Sequence, residues 1–278
     1  MRSDTASPGR DAIGLIAGAG SLPLVLAKAV KARGHPLVCL ALEDADASLL
    51  PLADHTYRVQ FGQIEEVIAA LKRHGARRVL MVGRVSRTDL VDRGDTLFRR
   101  WLSEATDRRD QTVFRRGLQR LHDLGVDIVS PLEFAPELAV PVGVLTHRTP
   151  TDIEWHDVRM GISVARTVAA LDAGQTVVLK RGVILAVEAA EGTDATIRRG
   201  GSLAAGSVVV KAARPDQDPR FDLPTIGAQT VGLLQEVGAT VLAVEAGKTL
   251  LLDRVEALTV ADRAGIAMVG VDVAEAGG

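Results

Sequence analysis

Apolar residues in the first half of the chain form short unbroken runs that alternate with segments of helical spacing. The runs Ala12–Ala17 and Pro36–Leu42 are typical of strands that are buried on both faces. Between them, residues 22–33 repeat apolar positions at helical intervals, and Gly34 predicts the end of that helix. The alternation continues with strands at Tyr57–Phe61, Arg78–Val82 and Val126–Val129. A helix is predicted at Gln63–His74, and a longer helical region at Leu97–Leu124 that is broken near Asp107–Asp110. Strands that alternate with helices predict βαβ units and a parallel sheet.

The pattern changes after residue 130. Residues 131–150 contain four prolines and little periodicity, which predicts a linker between a Rossmann-like domain over 11–130 and a second domain over 151–278. A long helix, about Thr151–Ala173, opens the second domain. Two further helices are predicted at Thr225–Val237 and Arg254–Ala264. Strands are predicted at Thr176–Lys180, Val183–Val187, Ser207–Ala212, Thr240–Val244, Thr249–Leu252 and Ala267–Val271. We therefore predict a two-domain α/β fold, with an N-terminal Rossmann-like parallel sheet flanked by helices and a C-terminal mixed α/β domain with a smaller, partly antiparallel sheet.

The composition is that of a globular protein. Of the 278 residues, 47% are hydrophobic and 24% are charged, and the chain is long enough for two cores. The one cysteine, Cys39, lies in an apolar run, so we expect a buried thiol and a cytoplasmic location. The polar N-terminus predicts no signal peptide, and no window approaches the roughly 20 apolar residues of a membrane span. A net charge of −2 and only 3% aromatic residues argue against a nucleic-acid partner.

The segment 211–227, KAARPDQDPRFDLPTIG, concentrates charges and prolines directly after an apolar run. Its three prolines fix φ and remove backbone donors, so it can be neither an ordinary helix nor a central strand. The cations Lys211 and Arg214 can hold phosphate, and its three aspartates, Asp222 among them, can hold a hard cation such as Mg²⁺. A solvated acidic turn is the alternative interpretation of the same cluster.

Two motifs in the first half predict anion binding. The segment 14–23, GLIAGAGSLP, places a glycine turn before a helix start, where backbone amides and the helix dipole favour an anion. Pro23 replaces the third glycine of a dinucleotide fingerprint, so a tight turn without a ligand is equally consistent. The segment 83–87, GRVSR, follows a strand at the sheet edge where α/β proteins bind ligands, with surface solubility as its alternative role. The candidate phosphate-binding residues of these motifs are Gly18, Ala19, Gly20, Ser21, Arg84, Ser86 and Arg87.

The segment 186–199, AVEAAEGTDATIRR, groups carboxylates around a glycine turn. Glu188, Glu191 and Asp194 offer oxygen ligands or a general base beside the 211–227 segment. A helix start capped by Thr193 explains the same residues without any function.

The remaining candidates are weaker. The turn Glu245-Ala-Gly-Lys248, taken alone, predicts no more than a hairpin. The six histidines are dispersed, without metal-ligand spacing on a helix and without a Ser–His–Asp pattern. A hydrolase built from this chain would therefore depend on carboxylates and a divalent cation.

Taken in order, these blocks resemble the UDP-2,3-diacylglucosamine pyrophosphatases of the LpxI type. The resemblance spans about residues 11–273 and is carried most specifically by the EGTD and DLPTIG blocks. The blocks that carry it are GLIAGAGSLP at 14–23, VGRVSR at 82–87, AVEAAEGTDATIRR at 186–199, KAARPDQDPRFDLPTIG at 211–227 and VLAVEAGKTLLLDR at 241–254. Two features depart from the family pattern: a polar N-terminal lead of ten residues is extra, and residues 200–206 are short where other members carry an insertion.

The resemblance implies hydrolysis of UDP-2,3-diacylglucosamine at its diphosphate, which gives 2,3-diacylglucosamine 1-phosphate (lipid X) and UMP in lipid A biosynthesis. It also implies Mg²⁺, or Mn²⁺, as cofactor, a homodimer, a product held between two domains, and transient contact with the inner-membrane surface. The aspartate of the DLPTIG block, Asp222, is the best catalytic candidate. With the residues above, we expect catalysis by Asp222, Glu191 and Asp194, metal binding by Asp222 and Glu188, and further phosphate binding by Lys211, Arg214 and Thr225.

Two other functions compete with this hypothesis. A nicotinamide-dependent Rossmann oxidoreductase would use the glycine turn at 18–21 but would leave the 211–227 segment without a role. A non-catalytic module that binds a nucleotide sugar would retain its biological output in an Asp222→Ala variant.

Overall fold

A computed structural model describes residues 10–84, 95–103, 110–220 and 223–273, with the backbone alone for 101–103 and 110–116. The chain divides into two compact units, residues 1–135 and 136–278. Between the two predicted domains, 11–130 and 151–278, lies the segment 131–150, which is partly structured. Its first residues form a short helix of the first unit, and residues 143–144 form a strand of the second.

The first unit is a Rossmann-like layer of parallel strands with helices between them. Its elements are β1 (Ile13–Ala17), α1 (Leu22–Ala32), β2 (Leu37–Ala41), a 3₁₀ turn (Ala47–Leu52), β3 (His55–Arg58), α2 (Ile64–Arg73), β4 (Arg78–Val82), α3 (Thr96–Ser103), α4 (Asp110–Asp123), β5 (Asp127–Ile128) and α5 (Pro131–Phe134). The strand order is β3-β2-β1-β4-β5, with every pair parallel. Because strand order reverses beside β1, the carboxyl ends of β1 and β4 form the edge where this topology binds ligands.

The central strands of this sheet are largely buried. Every residue of β2 is buried, as the unbroken apolar run predicts. Cys39 in that strand is fully buried, and the loss of hydration raises the pKa of its thiol to about 11. Cys39 is therefore a core residue.

The second unit is built on a six-stranded mixed sheet. Its elements are a 3₁₀ turn (Pro136–Leu138), β6 (Gly143–Val144), α6 (Asp152–Ala170), β7 (Thr176–Lys180), β8 (Val183–Val187), α7 (Thr193–Leu203), β9 (Val208–Lys211), β10 (Thr225–Ile226), α8 (Ala228–Glu236), β11 (Val241–Glu245), β12 (Leu250–Leu251), α9 (Arg254–Ala264) and β13 (Ala267–Val271). The order β6-β13-β11-β9-β7-β8 has a parallel centre, β13-β11-β9, and antiparallel flanks. Strands β10 and β12 form a separate parallel pair.

Helices cover both faces of the six-stranded sheet. On one face, α6 packs its apolar side, Val158 and Ile162 among others, on β7, β9 and β11. On the other face, α7, α8 and α9 contribute Ile197, Val231 and Ala257 to a second core. Because successive strand residues point to opposite faces, each strand supplies both cores.

A tight turn joins β7 to β8 and is held by α6. Arg181 and Gly182 have positive φ values of 49° and 77°, as two-residue hairpin turns require. The buried Asp157 of α6 accepts both turn amides, from Arg181 at 2.7 Å and from Gly182 at 2.6 Å. This contact fixes the hairpin on the helix, and with it the position at which β8 ends.

The predicted two-domain α/β class is confirmed, with a parallel first sheet and a mixed second sheet. The second sheet was wrongly expected to be the smaller, because its six strands exceed the five of the first. Residues 225–226, predicted as the start of a helix, form β10 and pair with β12. Among the described helices, none is long and apolar enough to cross a membrane.

Candidate active site

In the first unit, the glycine turn after β1 and the turn after β4 are joined by backbone hydrogen bonds. The Gly18 amide donates to the Val82 carbonyl at 2.9 Å. Ala19 and Arg84 exchange two bonds, each of 2.9 Å, as an isolated antiparallel bridge. Gly18 and Gly83 permit this crossing, because a Cβ on Gly18 would lie 2.4 Å from the Arg84 carbonyl oxygen.

This arrangement changes which amides an anion can use. The amides of Gly18 and Ala19 already donate to carbonyl groups, so an anion at this helix start would depend on other backbone donors. Ser21 is the residue before α1, but its side chain makes no capping hydrogen bond, and Pro23 lies in the first turn of the helix. Arg84 is exposed beside the turn, whereas Ser86 and Arg87 lie outside the described residues.

In the second unit, the topology gathers four polar residues at one edge of the sheet. Lys211 ends β9 and Thr176 begins β7, and the antiparallel register places these two residues opposite each other. Glu188 follows β8, and its amide donates to the Thr176 carbonyl at 2.9 Å. Thr193 is the first residue of α7, which starts after Gly192. The hairpin β7–β8 therefore returns the chain to the carboxyl end of β9.

Thr193 links the cation of this edge to its carboxylate. Its hydroxyl accepts from Lys211 Nζ at 3.3 Å and donates to Glu188 Oε1 at 3.0 Å. Thr176 Oγ1 contacts the same hydroxyl at 3.4 Å. The second Glu188 oxygen accepts the Gln175 amide at 3.1 Å. Glu188 and Lys211, predicted from separate motifs, are thus joined in one network.

Lys211 also connects this network to the 211–227 segment. Its Nζ lies 3.5 Å from the carbonyl oxygen of Thr225, the predicted phosphate-binding residue that begins β10. Lys211 and Glu188 are both half-buried, so their charges interact in a medium less polar than bulk water. The network therefore places a cation and a carboxylate side by side at the end of the sheet.

Glu191 and Asp194 lie apart from that network. Glu191 is exposed and pairs with Arg199 at 2.5 Å, and Thr196 Oγ1 lies 3.3 Å from the same carboxylate. The backbone amide of Glu191 and then the Arg199 guanidinium lower the pKa of this carboxyl. A carboxylate with a lowered pKa is a poor general base near neutral pH. Asp194 is exposed in the first turn of α7, where an acidic residue favours the helix dipole.

The structure places Arg214 at the start of the 211–227 segment. Arg214 is 9% exposed, and its guanidinium contacts Asp172 at 3.0 Å. Further along, Asp218 and Arg220 form a bidentate pair, with a shortest contact of 2.6 Å. Asp222, the first catalytic and metal-binding candidate, lies outside the described residues.

The carboxylates of this site can be compared with the ligands that a magnesium ion needs. Within the ranges that the structure describes, no group of three or more His, Cys, Asp or Glu side chains is placed to hold a metal. Mg²⁺ nevertheless needs only one or two carboxylates when waters and phosphate complete its shell. Each Glu188 oxygen accepts one protein donor and keeps a second acceptor position, so Glu188 fits a single monodentate role.

Thr193 is the residue that sequence reasoning missed. Its position after Gly192 predicted a helix cap, but Gly192 is the capping residue and the Thr193 side chain points to Glu188. The spacing of a glutamate and a threonine five residues apart across a glycine turn was the available signal.

Family models match almost the whole chain. The model of the LpxI N-terminal domain matches residues 12–138, and that of the LpxI C-terminal domain matches residues 141–269. The chain belongs to the LpxI family. A curated LpxI relative, the UDP-2,3-diacylglucosamine pyrophosphatase LpxI of Caulobacter vibrioides, is 34% identical over 279 residues, which cover 95% of this chain and 98% of the relative.

Likeness to solved structures is weak. A biotin carboxylase from Campylobacter jejuni aligns with 61% of this LpxI-family chain at 17% identity and a TM-score of 0.28. The biotin carboxylase subunit of a pyruvate carboxylase aligns with 59% of it at 15% identity and a TM-score of 0.26. The alignments span 35% and 34% of those longer chains, and similarity at this level establishes neither a shared fold nor a shared function.

Proposed function

We propose that this chain hydrolyses the diphosphate of UDP-2,3-diacylglucosamine, releasing UMP and 2,3-diacylglucosamine 1-phosphate in lipid A biosynthesis. The proposal is supported by the curated relative, which has this activity in its name and aligns over 98% of its length. The structural observation that supports the proposal, and that indicates which side chains take part, is the Lys211–Thr193–Glu188 network at the sheet edge.

The residues of this edge suit attack on a diphosphate. A diphosphate diester repels nucleophiles because it is anionic, so its site must neutralise charge and orient water. Lys211, held at 3.3 Å from Thr193, provides a positioned cation for the non-bridging oxygens. In this proposal Asp222 activates the water.

We further propose that Mg²⁺, or Mn²⁺ in its place, assists the reaction, with Glu188 and Asp222 as the carboxylates that hold it. The ion would neutralise diphosphate charge in the transition state. In the same proposal, Thr193 keeps one Glu188 oxygen oriented, so the carboxylate does not need to be ordered when the ion binds.

The substrate carries two acyl chains, so we also propose transient contact with the inner-membrane surface and, as a separate proposal, a homodimer. Sedimentation with anionic phospholipid vesicles tests the contact, and light scattering of purified protein tests the dimer. Protein that stays in the supernatant, or a monomer mass, would refute the respective proposal.

The deciding experiment is UMP release from UDP-2,3-diacylglucosamine by wild-type protein with Mg²⁺, with EDTA, and by two lysine variants. Lys211→Met should lower kcat about 100-fold or more, as expected when a charge-stabilising group is removed. Lys180→Met is the matched control, because Lys180 ends β7 at the opposite edge of the same sheet and contacts the Ala205 carbonyl.

The outcomes separate the alternatives. Loss of activity in EDTA and in Asp222→Ala would support metal assistance and the role of Asp222. Intact substrate under every condition would refute the pyrophosphatase and favour a nucleotide-sugar binding module. Thermal stabilisation by a nicotinamide cofactor would instead favour the oxidoreductase.

A further inference from the structure

The turn Glu245-Ala-Gly-Lys248 contains a buried carboxylate at the end of β11. The Glu245 side chain is 4% exposed, and its Oε1 accepts from Arg166 Nη1 at 3.0 Å and from Lys248 Nζ at 2.9 Å. Its Oε2 accepts the backbone amide of Ala213 at 3.1 Å. A buried charge is costly unless it is paired and hydrogen-bonded, and both conditions are met here.

Ala213 stands at the start of the segment 212–224, which connects β9 to β10. Three successive residues fix this start: the Ala212 amide donates to the Gln175 carbonyl at 3.0 Å, the Ala213 amide to Glu245, and Arg214 contacts Asp172 at 3.0 Å. Of these contacts, only the one with Glu245 comes from the strand next to β9 in the parallel part of the sheet.

The end of the same segment is held by the residues that follow Lys248. The Leu250 amide donates to the Pro224 carbonyl at 2.8 Å, and β12 then pairs with β10. One short stretch, residues 245–251, therefore binds both ends of the 212–224 segment. Glu245 holds its start by a side chain, and Leu250 holds its end by the backbone.

We infer that Glu245 is a positioning residue for the proposed hydrolysis, because it fixes the Ala213 amide two residues after Lys211 and so holds the end of β9 that carries this lysine. This inference rests on the proposed function, but the anchoring itself can be measured without substrate. Glu245 is buried beneath Arg166 and Lys248 and acts through the Ala213 amide, so its loss should alter catalysis more than substrate affinity.

The test compares two variants that each remove one ion-paired carboxylate of the second unit. Glu245→Met keeps the side-chain length but loses the acceptor for Ala213. Glu154→Met is the matched control, because Glu154 lies on the same helix as Arg166, pairs with Arg148 at 2.7 Å and accepts Thr240 Oγ1 at the opposite end of β11. Glu245→Gln, which retains one acceptor oxygen, is the conservative variant.

At a temperature where all variants are folded, Glu245→Met should lower kcat about 10-fold to 100-fold and change KM less than about 3-fold, because displacement of a reacting group by an ångström has that effect. Glu245→Gln should recover part of the loss, and Glu154→Met should retain wild-type kcat. In hydrogen exchange, the Ala213 amide should exchange at least about 10-fold faster in Glu245→Met than in the wild type. Its rate in Glu154→Met should equal that of the wild type.

Unchanged exchange at Ala213 in Glu245→Met would overturn the anchoring role, whether or not the protein is active. Faster exchange with wild-type kcat would overturn the positioning role alone. If Glu245→Met does not fold, Glu245→Gln decides by the same two measurements. A wild-type protein that releases no UMP would refute the proposed function, and the exchange comparison would still decide the anchoring.

Discussion

The hydroxyl of Thr193 uses its full hydrogen-bonding capacity. A threonine hydroxyl has one donor and two acceptor positions, and here it donates to Glu188 while it accepts from Lys211 and Thr176. Because one hydroxyl contacts both charged groups, it holds Lys211 and Glu188 at a fixed separation.

Replacement of Thr193 by valine should separate these two charges. Thr193→Val preserves shape but removes the hydroxyl, so we expect kcat/KM for UMP release to fall about 10-fold or more, the cost of one or two hydrogen bonds to charged groups. Thr193→Ser keeps the hydroxyl and should stay within about 3-fold of wild type. Equal losses in both variants would contradict the bridging role of the hydroxyl.

At the level of strands and turns, the first unit depends on the close crossing of two loops. Gly18 and Gly83 bring the turns after β1 and β4 into backbone contact, where no side chain fits. Gly20, two residues further on, differs: its φ is +107°, and a Cβ there would meet nothing within 4 Å. A side chain at Gly18 would thus be opposed by steric crowding, whereas a side chain at Gly20 would be opposed by backbone strain alone.

Gly18→Ala should destabilise the protein by about 1–3 kcal/mol, because the new methyl group must push the Arg84 carbonyl away. Gly20→Ala should cost about 1 kcal/mol, from the positive φ alone. Urea denaturation followed by circular dichroism measures both. A smaller loss for Gly18→Ala than for Gly20→Ala would show that the two turns separate readily.

A second element-level feature is the network around Glu154 at the start of α6. Burial by itself would raise the pKa of this carboxyl, but hydrogen bonds from Thr240, Thr151 and Arg148 outweigh it, and the pKa lies below its ordinary value of 4.5. The same carboxylate completes a capping box with Thr151. The network joins the helix start to the strand β11.

The lowered pKa sets the pH range in which Glu154 stabilises the fold. A carboxyl with a depressed folded pKa contributes stability above its unfolded pKa and loses it as pH falls through the folded value. Glu154→Gln should therefore lower the free energy of unfolding by about 1–3 kcal/mol at pH 7. The difference from wild type should shrink below pH 4.5. A difference that grows in acid would contradict this assignment.

For the whole chain, the boundary after Ala135 has consequences for separate expression of the second unit. Residues 136–150 contribute Val140, which is fully buried and exchanges backbone bonds with Thr249 and Gly247, and the strand β6 on β13. A fragment that starts at residue 151 would lack these contacts. The sheet would then expose β13 as a new edge.

We expect the fragment 136–278 to unfold cooperatively and the fragment 151–278 to be less stable by about 3 kcal/mol or more, the cost of losing a buried apolar side chain together with strand pairing. Thermal unfolding of both fragments measures this. Equal stability of the two fragments would show that the second unit begins near residue 150 and does not need residues 136–150.

Sequence reasoning succeeded where local pattern decides structure. The strands Thr176–Lys180 and Val183–Val187 and the helix Arg254–Ala264 were predicted to the residue, because apolar runs and glycines mark their ends. For α7 the sequence predicted only a capped start at Thr193 and not the extent of the helix, since glycines lower helix propensity. Gly200 is nonetheless helical because it lets α7 approach Val178, where a Cβ would lie only 2.5 Å away.

The sequence predicted which residues belong to the candidate site, but not the hydrogen bonds that join them. Motif spacing placed Glu188 and Lys211 at strand ends, where functional side chains collect. Their link through Thr193 depends on the antiparallel return of β8, which brings distant residues together. Likewise, the role of Glu245 depends on a bond to Ala213, 32 residues earlier in the chain. Such long-range pairings leave no local signal.

The common attachment of both ends of the 212–224 segment affects how this part of the chain can diverge. With its ends tied to residues 245–251, the closure entropy of the intervening residues grows only with the logarithm of their number, about 0.6 kcal/mol for each doubling. The neighbouring sheet should therefore tolerate a change in the number of residues between Arg214 and Pro224. Among related chains, we expect the attachment points at Ala213 and Pro224 to vary less than the length of the segment between them.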